Sequence, residues 1–207
     1  GFGGLASGDV IPADDGSVDA PGLSFADDAD NGWYRIGANN WAGATAGAKV
    51  MEFDATGAIL MPLQPNVIVQ AATQTNVTGN NTNYTMLWTG TEERDAGGDF
   101  ASSTFTAPVS GTYSFKYVIA LTGLTATGTR VIATILASNR TATLSRFDPW
   151  AISSNDTPAG QIIWTVSHSM FMDAADTVTG PQLTVKGEAS DVVDISTNAW
   201  AIIRLVS

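Results

Sequence analysis

The sequence predicts an all-β protein, in which a short strand-rich region is followed by a two-sheet sandwich. Three observations carry this. Charged residues make up only 14% of the 207 residues, while the hydrophobic share is 44%. Thr, Ser, Asn, Ala and Gly replace the missing charge; such short side chains suit closely packed strands, whereas solvated helices draw on Glu, Lys and Leu. From Gly111 onward, Tyr113, Phe115 and Tyr117 alternate with Thr112, Ser114 and Lys116, the period of two that marks a half-buried strand. Short apolar runs are separated by turn signals throughout, and no stretch shows a helical period with caps.

Taken in order, residues 1–15 read as a linker to an upstream part of a longer assembly: Gly, Asp and small residues without apolar periodicity. The start, Gly1-Phe2-Gly3-Gly4, has neither Met nor a basic stretch before an apolar one. It is read as a fragment or a processed end, not a signal peptide. Residues 16–63 alternate short apolar pieces with turns. Leu23 and Phe25 precede a turn expected at Asp30-Asn31-Gly32. Trp33, Tyr34 and Ile36 precede a turn at Gly37 to Asn40. Val50, Glu52 and Phe53 precede Asp54-Ala55-Thr56-Gly57, and Ala58 to Met61 close the region. Strands this short cannot bury a face alone, so neighbouring chains are expected to complete the core.

Pro62 and Pro65 frame a boundary, and residues 64–207 form the second region. Its expected strands are Val67–Ala71, Tyr84–Trp88, Phe105–Ile119, Thr129–Leu136, Ile162–Met172, Thr177–Val185 broken by Gly180-Pro181, and Trp200–Val206. Roughly eight strands in about 140 residues fit a sandwich, a jelly roll in particular.

The net charge of −11 repels phosphate backbones and argues against nucleic-acid binding. With no cysteine there is no disulfide, thiolate zinc site or thiol nucleophile, which favours a product of the bacterial cytoplasm. No run of about 18 apolar residues exists, so membrane insertion is not expected.

Two stretches resemble known families. Gly16-Ser17-Val18-Asp19-Ala20-Pro21-Gly22-Leu23-Ser24-Phe25, then Asp28-Ala29-Asp30-Asn31-Gly32-Trp33-Tyr34-Arg35-Ile36-Gly37, resembles the short repeat of phage tail-fibre and head-fibre proteins. Phe53 to Gly57 matches its ending, and Trp33 and Trp41 depart from it. Asp99-Phe100, Phe105-Thr106-Ala107-Pro108 and Gly111-Thr112-Tyr113-Ser114-Phe115 resemble the C1q and tumour-necrosis-factor-like jelly roll. Met172 to Val178 is similar to that family's later hairpin, with Ala175 where glycine is usual. The second resemblance implies a compact homotrimer. Together they imply a virion fibre with its receptor-binding tip at residues 64–207, joined to other virion proteins through the N-terminal part.

Catalysis finds little support. The sole histidine, His168, lies inside an alternating strand, where Ser167 and Ser169 point to the opposite face. It is read as a strand residue at a trimer interface or surface. Acidic pairs occur by chance in so acidic a chain, so hydrolysis of a surface polysaccharide is the lesser alternative. No cofactor is expected. Asp27, Asp28 and Asp30 superficially suggest a calcium loop, but Ala29 and Ala38 break the required order; a polar turn is the plainer reading. Glu188, Asp191 and Asp194 form a second acidic candidate. Asn76, Asn80, Asn83 and Asn139 read as turn residues. Receptor contacts are expected at Tyr84, Trp88, Arg146, Phe147 and Trp150, where aromatic rings and planar polar groups would meet a bacterial surface glycan or protein. The function expected is adsorption to the host, with a purely structural fibre or capsid decoration as the alternative.

Overall fold

The computed structural model describes residues 13–125, 127–147 and 161–206, the side chain of Phe147 excepted. Among the described residues every regular element is a strand. The chain divides into two compact units, with Gln64 ending the first and Pro65 beginning the second.

In unit 1, β1 (Leu23–Phe25), β2 (Asp28–Gly37), β3 (Asn40–Thr45), β4 (Ala48–Phe53) and β5 (Ile59–Leu60) form one antiparallel sheet in chain order. The turn chemistry at Asp54 follows from its sequence. One oxygen of Asp54 accepts hydrogen bonds from the amides of Thr56 and Ala58, each at 2.9 Å, and from the Thr56 hydroxyl at 2.7 Å. Gly57 takes the left-handed conformation at φ +88° that the turn then requires.

The turn expected at Asp30 to Gly32 is not there. Those residues lie inside β2, and the chain reverses at Ala26-Asp27 instead. Gly32 serves close approach: a Cβ on it would sit 1.9 Å from the Leu23 carbonyl oxygen. β3 was not anticipated, because Ala42, Gly43 and Ala44 have low strand propensity; pairing with β2 and β4 on both edges imposes the strand.

Unit 2 is a sandwich of two sheets. One runs β10 (Phe100–Ala101), β11 (Thr104–Thr106), β16 (Thr177–Lys186), β13 (Arg130–Ala137), β14 (Thr141–Phe147), with β8 (Asn83–Thr85) also along β16. The other has β12 (Gly111–Thr122) between β15 (Ile162–Met172) and β18 (Trp200–Leu205), and continues to β6 (Asn66–Gln70) and β9 (Glu92–Asp95). At the far end of β12, β17 (Val193–Ile195) and then β7 (Gln74–Thr78) add on. The long strands cross between sheets at nearly every connection, with β13 and β14 the exception; that order is a jelly roll.

The core follows from the period-two pattern. Tyr113, Phe115, Tyr117, Ile119 and Leu121 all point inward from β12 and are at most 1% exposed. Each such side chain contributes about 1.5–3 kcal/mol by leaving water. Phe105 crosses from the opposite sheet and meets Tyr113 and Phe115 edge-on, at centroid distances of 5.2 and 6.0 Å. The Tyr113 hydroxyl donates to the Val109 carbonyl at 2.8 Å, which ties β12 to the turn before it.

β16 is continuous, although Gly180-Pro181 was expected to break it. The register on β13 slips there, and the missing Cβ of Gly180 leaves room for Trp88: a Cβ would lie 2.5 Å from Nε1. In the Met172 to Val178 hairpin, Ala175 adopts φ +73°, the conformation a glycine would take more readily.

Two outcomes are expected. Ala175→Gly should raise stability by about 0.5–1 kcal/mol, because relief of the left-handed strain exceeds the added unfolded-state entropy; a urea midpoint that falls would show the strain is absent. The Tyr117 hydroxyl is buried without a hydrogen-bond partner, and burial pushes its pKa far up. Tyr117→Phe should therefore stabilise the fold by up to about 1 kcal/mol, and a clear loss in thermal unfolding would reveal a partner for that hydroxyl.

Candidate functional site

The surfaces available for recognition are set by which faces the core leaves uncovered. On β12 the residues between the core positions are Thr112, Ser114, Lys116 and Val118. In the strand register, Lys116 lies beside Ile202 of β18, which lies beside Ile68 of β6 and then Arg94 of β9. The next row sets Val118 beside Trp200 and Gln70. Ile68, Val118, Trp200 and Ile202 are thus half-buried at the centre of the outer face, on a sandwich whose inner face is already packed. On the neighbouring strand β15, Ile163 and Phe171 point the same way and are each 51% exposed. The rim is polar and uncharged at Ser167 and Ser169, and basic at Lys116, Arg94 and Arg204. An apolar centre with a polar rim has the composition of a protein interface.

The sequence-predicted receptor residues do not come together as one aromatic platform. Trp88 is 4% exposed and stacks on Tyr117 at 5.9 Å, so it belongs to the core; its ring cannot meet a ligand. Tyr84 shares a row with the fully buried Leu183 and packs against the core, and burial raises its pKa. Arg146 is exposed near the end of β14. Trp150 and the Phe147 side chain lie outside the described residues. His168 stands opposite Phe115 in register, so it faces inward from β15, while Ser167 and Ser169 are exposed on the other side. The alternation turns the imidazole to the same side as Phe115, where it is half-buried.

The acidic candidates bind backbone and hydroxyls of their own chain. Asp194 accepts from the Asn76 amide at 2.7 Å, where Asn76 takes φ +55° in a bulge of β7. Asp191 accepts from the Asn80 amide at 2.9 Å and the Thr82 hydroxyl at 2.7 Å, which hold it below the usual carboxylate range. Glu188 is 5% exposed and accepts from the Thr125 amide at 2.8 Å and from the Thr125 and Thr127 hydroxyls at 2.6 and 3.0 Å. Burial opposes its ionisation most strongly, but these donors together outweigh burial and lower its pKa.

In unit 1, Asp28 accepts from the Asn31 side-chain amide, and a hydrogen bond with Asp28 raises the pKa of Asp30. Among the described residues no three acidic or imidazole groups converge to hold a metal.

Unit 1 carries a second uncovered face. Leu23, Trp33, Gly43 and Met51 form one row across β1 to β4, and Arg35, Trp41, Phe53 and Ile59 form the next across β2 to β5. Trp33 lies flat over Gly43, where a Cβ would approach its ring to 2.8 Å. Trp41 stacks on Phe53 at 4.2 Å and 6°, and tilts against Trp33 at 4.9 Å. Sequence reasoning noted Trp33 and Trp41 as departures from the repeat without placing them on one face; the unrecognised strand β3 hid the register that joins them. The outer face of β18 was legible in principle, since Trp200 to Val206 is nearly continuous in apolar residues, the pattern of a strand covered on both sides.

No family model matches the chain, and no curated protein matches it. Among solved structures it is similar to the globular domain of the zebrafish complement 1qA protein, at 17% identity over 70% of this chain and 98% of that one, with a TM-score of 0.42. It is similar also to murine APRIL, whose crystal structure at pH 8.0 matches at 10% identity over 69% of this chain and 99% of that one, with a TM-score of 0.43.

Glu188→Gln should destabilise unit 2 by about 1.5–3 kcal/mol at neutral pH, since an amide turns a donor toward donors. The folded pKa is depressed, so this contribution is present above the unfolded value of about 4.3 and lost as pH falls through the folded value. Urea titrations at several pH values check this: the gap between wild type and variant should close in acid, and a constant gap would contradict the assignment.

Proposed function

We propose that the chain is a component of a phage fibre, a homotrimer whose residues 64–207 form the tip that adsorbs to the bacterial surface. The observation that carries this reading is the apolar outer face of the second sheet. Ile68, Val118, Trp200 and Ile202 sit at its centre on a jelly roll that has already buried its own core. A fold with a complete core gains nothing internally from such a face, whereas copies of the chain gain a shared one. The fibre-like stretch at residues 16–61 supports the same assembly from the N-terminal side, because a fibre repeat and a trimeric tip require one symmetry.

Attachment in this reading is multivalent. Three copies of a weak site per fibre multiply residence on the host through effective concentration, and no deep pocket is needed. Arg146 is the exposed receptor candidate among the described residues, one position before the end of β14 at Phe147, and Phe147 and Trp150 complete the proposed contact region. The chain is not an enzyme in this reading: His168 and its flanking serines face apart, and the carboxylates described above spend their oxygens on their own backbone. The particle is a virion, and the partners are a surface glycan or protein of the host and other virion proteins.

The purified chain should show a mass of about three times 21.5 kDa by light scattering on a sizing column. Ile202→Arg should reduce it to the single-chain mass with the β-sheet circular dichroism retained. A wild-type chain that runs as a well-folded monomer would sink the fibre-tip reading. A trimer that binds neither whole host cells nor their isolated surface polysaccharide would favour a purely structural fibre.

A further inference from the structure

Trp33 and Trp41, the two departures from the fibre-like repeat, line a cleft of unit 1. The cleft measures about 250 Å³, with Leu23, Trp33 and Trp41 on its apolar side and Asp14, Asp15 and Arg35 on its polar side. Phe53 covers one face of Trp41, at 4.2 Å and 6°. Trp33 lies over Gly43 and tilts against Trp41 at 59°, with ring centroids 4.9 Å apart. The two indoles therefore meet at an angle, as two walls of a corner, and are 40% and 43% exposed.

Three features hold the acidic segment beside these rings. The Arg35 amide donates to the Asp15 carbonyl at 2.7 Å, which fixes the segment along β2. The Arg35 guanidinium donates to both carboxylate oxygens of Asp15, at 2.8 and 3.1 Å. Gly22 permits a close approach, since a Cβ there would fall 1.8 Å from the Asp14 carbonyl oxygen. The charges of Arg35 and Asp15 cancel. The Asp14 carboxylate stays exposed, with no hydrogen-bond or ion partner among the described residues. The cleft thus joins an aromatic corner to one net negative charge.

From this geometry we infer that the cleft binds an organic cation of the methylated-ammonium type, its methyl groups against Trp33 and Trp41 and its charge facing Asp14. The inference stands apart from the attachment reading, which places receptor contact in residues 64–207.

Charge and hydration select this ligand. Indole is the aromatic ring that attracts a cation most strongly, and a carboxylate beside it adds to the attraction. The net charge of −11 draws cations toward the protein and repels anions. A purely apolar partner would strip water from Asp14 and from the exposed Arg35–Asp15 pair without replacing it. A primary ammonium has three N–H donors to satisfy, which a cleft walled by Leu23 and two indoles serves poorly. A methylated ammonium has fewer such donors or none, and presents C–H surface to the rings instead. The hollow on the other side of Trp33 is lined by Asp28, but that carboxylate is engaged by the Asn31 side chain and by Asp30.

The full-length protein would be titrated with choline, and the indole N–H resonances followed by NMR. Trp33→Phe and Trp41→Phe assign the two signals. The control is 3,3-dimethylbutan-1-ol, which has the shape of choline without its charge. Choline should shift the Trp33 and Trp41 signals saturably, and the alcohol should bind at least about fivefold more weakly. Asp14→Asn lies on an exposed segment and should weaken choline about threefold or more, leaving the alcohol unchanged.

Equal affinity for the alcohol would overturn the inference, because shape and not charge would then be recognised. Methylammonium that binds as tightly as choline would overturn the preference for methylated cations. No shift of either signal by about 50 mM choline would overturn the site itself, and so would shifts confined to the other indoles. An Asp14→Asn protein that binds choline as wild type does would remove the carboxylate from the site and overturn the inference in this form. None of these outcomes alters the mass that tests the fibre reading, so the two can fail separately.

Discussion

β12 is the strand on which the rest of unit 2 depends. It pairs with β15 along one edge and with β18 and β17 along the other, and its inward side chains supply the largest share of aromatic volume to the core. Phe105 can reach across to it only because the chain switches sheets at Ala107 to Ser110, and the hydrogen bond from Tyr113 to Val109 holds that switch in place. The opposing sheet is positioned in turn by what β12 presents: Val131, Ala133, Ile135, Leu183 and Val185 close the same cavity from β13 and β16.

The acid surplus has a structural use. Asp54, Asp95, Asp176, Asp191, Asp194 and Glu188 all accept hydrogen bonds from amides or hydroxyls of nearby turns. Asp176 takes donors from Ser138 and Asn139 at one end of β16, while Glu188 takes Thr125 and Thr127 just past the other. A carboxylate can accept several donors at once, which suits it to fixing loops whose backbone amides have no strand partner. The ion pairs of the described residues, Arg35 with Asp15 and Lys49 with Glu52, lie in unit 1.

The two units solve the same problem differently. Unit 2 folds its second layer out of its own chain and still has an apolar outer face to offer. Unit 1 is a meander of five strands in sequence order, and a meander of that length supplies one layer only. Its apolar face is therefore a requirement placed on something outside the strand order.

Much of the architecture was legible from residue patterns. The alternation at Tyr113, Phe115 and Tyr117 specified a strand and its buried face, because period two has one structural meaning. Asp54 to Gly57 specified a turn, because the aspartate bonds its own backbone and glycine accepts the left-handed angle. Other features depended on pairing that no local pattern encodes. Gly32 looked like a turn residue and is a point of strand contact; Gly180-Pro181 looked like a break and makes room for Trp88; Ala42 to Ala44 looked like no strand and is one. Trp88 and Tyr84 looked like ligand contacts because they stand beside Asn and Thr, and packing turned them inward. Local chemistry determines where a chain can extend or reverse, but which face of an extended segment is buried against which other is a property of the register between strands far apart in sequence, and that is settled only when the layers close.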